Sequence, residues 1–327
     1  MFAWERTHRG DNMGEGFPKF GFITDTHYDY KYESRKDDTL KTLLDKTVQA
    51  YDWFKQQGCA FVVHGGDMFD RHRIYNFDLL SRVRNTLKNA GLTTYFIMGQ
   101  HDLSGYNADT LPASCLGFLD SISDGSLRFL ENEMDIDGYR FVPSHVNADP
   151  VKTINGVKKG AVPTICVCHA LLTDQREAFG TISITHCKNK NVQLVLSGDL
   201  HDGVPFQVCN GTQFYNPGSF SRDVKTLRLP KVAAFQWDGT QFQIEEFEPQ
   251  CPDAKDIFFW DDDVKTASVI NEEEEVKENE ASYIAEFQQF HSESKDIYEL
   301  LEKIGKAKGI RSEVLELIKQ HKDKKHV

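Results

Sequence analysis

The chain has 327 residues, 39% of them hydrophobic and 12% aromatic, enough for one large globular domain with a smaller appendage. No apolar run approaches the length that spans a bilayer, and the charged, glycine-bearing start lacks the apolar core of a signal peptide, so neither a membrane nor a secretory role is expected. A net charge of −12 argues, by its sum, against a nucleic-acid partner.

In chain order, a strand is expected at Phe20–Thr24, ending in "DTHYD". A helix follows, with Leu40, Leu43, Leu44, Val48, Tyr51 and Phe54 at helical spacing and Gly58 closing it. The apolar run "CAFVV" leads into "HGGDMFD", and a second helix carries Leu79, Leu80, Val83 and Leu87 on one side before ending near Gly91. The strand "TTYFIM" then feeds Gly99-Gln100-His101-Asp102. Strands alternating with helices at this spacing predict right-handed crossovers and a parallel sheet. The middle of the chain is richer in strands: "SLRFL", "DIDGYRFV", "VPTICVCHA", "NVQLVLSGDLHDG", "VPFQVCNGTQFYNPGS" and "KVAAFQWDGTQFQIEEFEP". Asn210-Gly211 and Asp238-Gly239 are hairpin turns. An α/β half joined to a β-rich half predicts two sheets packed face to face with helices outside.

Beyond Pro252 the composition shifts to an acidic, apolar-poor stretch, "DDDVKTASVINEEEEVKENE", and then to two amphipathic helices over 284–306 and 311–321. The domain plan is therefore an N-terminal extension over 1–17, a main domain over 18–250, an acidic linker over 251–280 and a helical segment over 281–327. From Cys251 onward 19 acidic against 12 basic residues give −7, which leaves −5 for everything before. Seven scattered cysteines with no Cys-x-x-Cys predict reduced thiols in a cytoplasmic protein. Cys166 and Cys168 are expected on opposite faces of one strand and so not paired.

The chemistry concentrates where the strands end. Asp25 and His27 follow the first strand, Asp67 the second, and Gln100 and His101 the third; His169 ends "TICVCH", and Asp199 and His201 follow "LVLSG". A single Asp-x-His after a strand is ordinarily a turn. Five strand ends in succession with metal-ligating side chains point to one site outside the carboxyl edge of a sheet. His64, His145 and His186 lack that context and read as structural or surface residues.

The motif string "DTH…GGDMFD…GQHD…CHA…GDLH" resembles the calcineurin-like metallophosphoesterase superfamily over residues 18–250. "GGDMFD", the spacing to "GQHD" and "FYNPGSFSRD" are similar to one branch, the SbcD-type nucleases that partner SbcC-type, SMC-like ATPases in double-strand-break repair, in a compact, phage-like version. The resemblance implies a four-layer α/β/β/α sandwich with a C-terminal helical appendage, and two divalent cations, Mn²⁺ first and Mg²⁺ next. Carried over by position, Asp67 bridges both ions; Asp25, His27 and His201 hold the first; Gln100, His169 and Asp199 hold the second. His101 sits beside the scissile phosphate with Asp102 behind it to orient the ring. Such a nuclease acts as an exonuclease on duplex ends and an endonuclease on single strands.

The sequence departs from the family pattern at Gln100, where Asn is usual, and at Asp199, where His is usual. Both changes fall on the second cation and both keep an oxygen donor, which implies a retuned site, the alternative being a second cation held weakly with low activity. Two such cations add about four positive charges among the carboxylates and offset the acidity of the main domain. Arg71, His72 and Arg73, just after Asp67, and Ser219, Ser221 and Arg222 in "NPGSFSRD" are the expected DNA contacts. By resemblance the stretches 77–88 and 112–120 form a homodimer, and the C-terminal helices bind the ATPase. The competing readings are a phosphomonoesterase or cyclic-nucleotide phosphodiesterase of the same superfamily, and a non-catalytic scaffold.

Overall fold

A computed structural model describes residues 16–32, 34–175, 180–222 and 226–259. The extension over 1–15, the acidic run from residue 260 and the two helices expected over 284–306 and 311–321 lie outside the described residues.

The first half follows the predicted alternation. Strand β1 (Lys19–Ile23) leads to helix α1 (Thr39–Gln56), β2 (Cys59–His64), α2 (Phe77–Ala90), β3 (Thr93–Phe96), α3 (Cys115–Ser121) and β4 (Leu127–Phe129). Each long helix starts on a side-chain cap: Asp38 accepts from the Lys41 amide ahead of α1, and Asn76 accepts from the Leu79 amide ahead of α2. β1 to β4 pair in parallel. The later strands β13 (Val232–Trp237) and β14 (Phe242–Phe247) add antiparallel on the free edge of β1, giving the order β14-β13-β1-β2-β3-β4.

The second sheet has the order β11-β12-β10-β7-β6-β5, formed by β5 (Met134–Ile136), β6 (Tyr139–Ser144), β7 (Thr164–His169), β10 (Leu194–Gly198), β11 (Val204–Cys209) and β12 (Thr212–Asn216). A separate parallel pair, β8 (Leu172–Thr173) with β9 (Ile182–Ser183), lies between β7 and β10 in the chain. The β11–β12 hairpin turns on Asn210-Gly211, both at positive φ (54° and 86°), as the two-residue primed turn requires.

Side-chain alternation welds the sheets. Phe20 and Phe22 of β1, Phe61 and Val63 of β2, Phe141 of β6, Ile165 and Val167 of β7 and Leu194 and Leu196 of β10 share one buried cluster. Phe20 stacks on Phe61 and meets Phe141 edge-on. Each such side chain contributes about 1.5–3 kcal/mol by burial, which fixes the registry of the two sheets. The opposite faces are covered by α1 to α3 over Val62 and Phe96, and by α4 (Pro150–Gly156) with Cys187 and Val192 over Cys166 and Cys168. The result is a mixed α/β fold with two large sheets flanked by helices, the layered sandwich anticipated above. Cys166 and Cys168 do not lie on opposite faces: two residues apart on β7, both point away from the sandwich core into one outer cluster, and no described cysteine is paired.

Two local expectations change. Val48 is 47% exposed, and the inner side of α1 is instead completed by Thr47 and a buried Lys46. Residues 253–259, placed by composition in a linker, pack on the domain: Ala254 and Ile257 of α5 (Ala254–Ile257) and Phe258 are buried, and Lys36 and Phe259 donate backbone hydrogen bonds across to Ile257 and Ser34. The apolar "IFF" triplet overrides the surrounding charge.

Candidate metal centre

The loops that leave β1, β2, β3, β7 and β10 converge at one edge of the sandwich. They are laced by backbone bonds: the amides of Asp25 and His27 donate to the carbonyls of Gly66 and Asp67 (3.1 Å each), and Phe220 and Ser221 donate to the Asp25 carbonyl (3.1 Å each). Asp25, His27, Asp67 and Asp199 all have positive φ (51°, 42°, 51° and 74°). Non-glycine residues reach that region only at a cost, and here it turns each side chain off its strand end and into the site. Gly66, with φ of 100°, sits where a Cβ would come within 2.4 Å of His169 Nδ1, so only glycine lets β7 approach this closely.

Three overlapping groups place one ligand atom per residue within 4.8 Å of one another: Asp25, His27 and His201; His27, Asp67 and His101; Asp25, Asp67 and His169. His27 Nε2 lies 3.8 Å from Asp25 Oδ1 and 3.9 Å from Asp67 Oδ2, His201 Nε2 lies 3.6 Å from Asp25 Oδ1, and the two histidine Nε2 atoms are 3.2 Å apart. Asp25, His27, Asp67 and His169 are essentially fully buried. Gln100 Nε2 donates to Asp199 Oδ1 at 2.6 Å, and the Asp199 amide donates back to the Asp25 carboxylate.

The donor chemistry fits cations. His169 Nδ1 must carry its hydrogen, because its partner at 2.7 Å is the Gly65 carbonyl. With Nδ1 protonated, Nε2 is the nitrogen that would face a cation once its proton is displaced; it lies 3.3 Å from Asp67 Oδ2, and both atoms are buried without a hydrogen-bond partner among the described residues. Gln100 Oε1 is in the same condition. Buried polar atoms left without a partner at the site's edge are the condition that a bound cation relieves. Titration reflects this: burial would lower His169, but the carboxylates of Asp67, Asp25 and Asp199 outweigh it and lift the imidazole to about 10. Burial would raise Asp25, but hydrogen bonding to His201 and His27 holds it well below the usual carboxylate range.

A family model described as calcineurin-like phosphoesterase matches residues 18–203, more than half of the chain. The chain belongs to this family. Among solved structures, a dimetal phosphatase from Danio rerio is 14% identical with a TM-score of 0.50, over 73% of this chain and 100% of that one. A purple acid phosphatase from yellow lupin (Lupinus luteus) is 14% identical with a TM-score of 0.47, over 72% of this chain and 52% of the other. An archaeal phosphodiesterase is 13% identical with a TM-score of 0.39, over 70% and 99%. At these identities the likeness is one of fold. No curated protein matches the chain.

In this phosphoesterase His101 is exposed beside the buried cluster, its ring edge-on to His27 with centroids 4.8 Å apart. Asp102 does not stand behind it. Asp102 is buried and accepts from the amides of Met68, Phe69 and Gly99 (3.1, 3.2 and 3.0 Å), tying the loop after β3 to the loop after β2. Burial, with the nearby Asp67 carboxylate, pushes its carboxyl up to about 7. The ring of His101 is held instead by the Asp70 carbonyl, which accepts from Nδ1 at 2.6 Å. Asp70 also places Oδ1 3.7 Å from His27 Nδ1. The "GGDMFD" string contains Asp70, but a carbonyl role leaves no mark in side-chain identity.

The expected DNA contacts divide. Arg71 reaches the surface, its side chain 55% exposed while its guanidinium pairs with Asp29. Arg73 leans on the Ala113 carbonyl, and His72 is half-buried. Ser219, Ser221 and Arg222 are buried and face inward, which corrects the reading of "NPGSFSRD" as a phosphate-facing loop. The two serine hydroxyls bond each other at 2.8 Å, and Arg222 donates to the carbonyls of Pro252 and Thr226. The segment is a brace: Arg35 and Lys46 donate into the carbonyls of residues 220–222, whose amides in turn hold Asp25. Arg228 does the same for His201, donating to its carbonyl at 2.8 Å. An isolated loop arginine gave no sequence signal for that role. His64 is structural as expected. It accepts from the Gly66 amide and meets the Thr26 hydroxyl, and burial lowers its ring to about 3, which keeps it neutral.

Proposed function

We propose that this phosphoesterase is a two-metal DNA nuclease of the SbcD type that works with an SbcC-type, SMC-like ATPase. The observation that carries the reading is the buried Asp67 carboxylate set among His27, His169 and an exposed His101. Asp25, His27, His201 and Asp67 would hold one divalent cation, and Asp67, Gln100, His169 and Asp199 the second. Bound there, the pair supplies Lewis acidity that activates water and neutralises the phosphodiester. Mixed oxygen and imidazole donors suit Mn²⁺, with Mg²⁺ the alternative.

The remaining chemistry belongs to the chain. Asp67 fixes the relative position of the two halves of the site, because its Oδ1 is anchored by the His101 amide at 2.8 Å. With Nδ1 committed to the Asp70 carbonyl, His101 has Nε2 as the atom that gives a proton to the leaving oxygen. Arg71 offers charge to a flanking phosphate at the rim. The strongly exposed Tyr75 and Phe77, beside the partly exposed Phe118, supply the apolar surface of a homodimer on α2 and α3. The residues beyond 280 supply the contact to the ATPase, and the protein acts in the cytoplasm.

A second reading, hydrolysis of small phosphomonoesters, is favoured by the inward-facing Ser219, Ser221 and Arg222 and by the net charge of −12. The test is incubation of the full chain, with Mn²⁺ or Mg²⁺, with end-labelled linear duplex DNA and with an aryl phosphate monoester, beside an Asp67→Ala control. Metal-dependent shortening of the DNA that vanishes in the control supports the nuclease. Turnover of the monoester alone, with the ATPase also supplied, replaces it with the second reading.

A further inference from the structure

We propose that Gln100 and Asp199 act as one metal-selecting pair, which makes the second cation position prefer Mg²⁺ or Mn²⁺ while the first accepts Zn²⁺. The proposal rests on the two-metal reading above and deepens it.

The pair joins loops from different sheets: Gln100 follows β3 of the first and Asp199 follows β10 of the second. Their 2.6 Å hydrogen bond does two things. It turns the Gln100 amide nitrogen toward Asp199, which leaves Oε1 on the other side, buried and without a partner among the described residues. It also occupies one lone-pair direction of Asp199 Oδ1, so that the carboxylate offers its remaining oxygen to a cation as a single donor. Buried with Oε1 are Asp67 Oδ2 and His169 Nε2, likewise unpartnered, the latter the nitrogen left to face a cation once its proton is displaced, since Nδ1 is held by Gly65.

The donor set at this position is then three oxygens and one nitrogen: two carboxylates, one amide carbonyl and one imidazole. The first position has two imidazoles, His27 and His201, with Asp25 and Asp67. Carboxylate and carbonyl oxygens suit the hard ions, whereas each added imidazole moves affinity toward Zn²⁺ and its neighbours. Mg²⁺ sheds water reluctantly and is held by one or two carboxylates with waters completing the octahedron. Gln100 and Asp199 are only half-buried, which leaves room for those waters at the second position.

The experiment uses metal-stripped full-length chain, titrated calorimetrically with Mn²⁺, Mg²⁺ and Zn²⁺, with Mn²⁺ electron paramagnetic resonance reporting how many ions are bound and whether they are coupled. Wild type binds two Mn²⁺, and Mg²⁺ displaces one of them more readily than the other. Asp199→Asn keeps the shape and the tolerance for positive φ while removing the charge and, with its one oxygen held by the Gln100 amide, the second oxygen donor. It lowers Mg²⁺ affinity at one position by tenfold or more and leaves Zn²⁺ affinity at the other unchanged. Gln100→Ala weakens the same position and no other, and melting temperatures of both variants verify folding. Asp199→His reverses the order, raising Zn²⁺ affinity there above that for Mg²⁺. Two bound ions with Mg²⁺ affinities unchanged in Asp199→Asn and Gln100→Ala overturn the pair while leaving the two-metal reading intact. Fewer than two Mn²⁺ in wild type overturns the two-metal reading itself.

Discussion

Gly99→Ala tests how closely the loop after β3 is built around Asp67. The backbone there does not require glycine, yet a Cβ would stand 2.0 Å from Asp67 Oδ1, 2.3 Å from its amide nitrogen and 2.6 Å from Cγ. Backbone and a fully buried carboxylate cannot yield by rotation alone, so Asp67 or the loop must move. Overpacking of this kind costs about 1–3 kcal/mol. Displacing Asp67 also breaks its 2.8 Å bond from the His101 amide, a charge-assisted bond contributing about 1.5–3 kcal/mol. The loss is therefore about 2.5–6 kcal/mol without metal, a fall in melting temperature of roughly 5–24 °C. If Asp67 bridges both cation positions as proposed, Mn²⁺ affinity falls at both by roughly 10–100-fold. Scanning fluorimetry and calorimetric Mn²⁺ titration read the two effects, with Gly156→Ala, where nothing lies within 4 Å of the added Cβ, as the matched control. A Gly99→Ala protein that melts with the control and binds Mn²⁺ as wild type does would refute the proposed geometry around Asp67.

His101→Asn should lower turnover by about 10²–10⁴-fold while Mn²⁺ stoichiometry stays at two, measured by steady-state hydrolysis and titration on the same preparation. Phe77→Glu should convert a dimer to a monomer in sedimentation velocity, since Phe77 is 80% exposed beside Tyr75. Lys46 predicts a pH effect: burial lowers its ammonium to about 7, against about 10.5 in the unfolded chain. Between those values the unfolded state holds one proton more, so raising the pH favours the folded state by a few kcal/mol, while below about pH 7 the cost of the buried ammonium is full and Lys46 adds no slope. The buried thiols and phenols act in the opposite sense, so the measured quantity is wild type minus Lys46→Met in urea melts from pH 6 to 10. That difference should show the slope.

The fold was legible where apolar period and turn chemistry agree. The continuous apolar runs of "CAFVV" and "TICVCH" placed strands correctly, and Asn210-Gly211 placed a hairpin. The convergence of Asp25, His27, Asp67, His169 and His201 was legible because their order along the chain matches the order in which strands deliver their ends to one edge. What stayed hidden depends on directions that residue type does not encode. Ser219, Ser221 and Arg222 resemble a phosphate loop in composition, yet the braces from Arg35 and Lys46 turn them inward. Asp102 follows His101 in sequence, but the turn aims its carboxylate at the amides of Met68, Phe69 and Gly99. Asp70 and Arg228 act through or upon main-chain carbonyls, and so left no pattern to find.

The central claim is a dinuclear centre bridged by Asp67, and the most direct measurement is anomalous diffraction from crystals of the full chain soaked in Mn²⁺. The account predicts two peaks roughly 3.5–4 Å apart. One should lie against Asp25, His27 and His201, the other against Gln100, His169 and Asp199, with the Asp67 carboxylate between them. A single peak, or peaks that Asp67 does not touch, would contradict it.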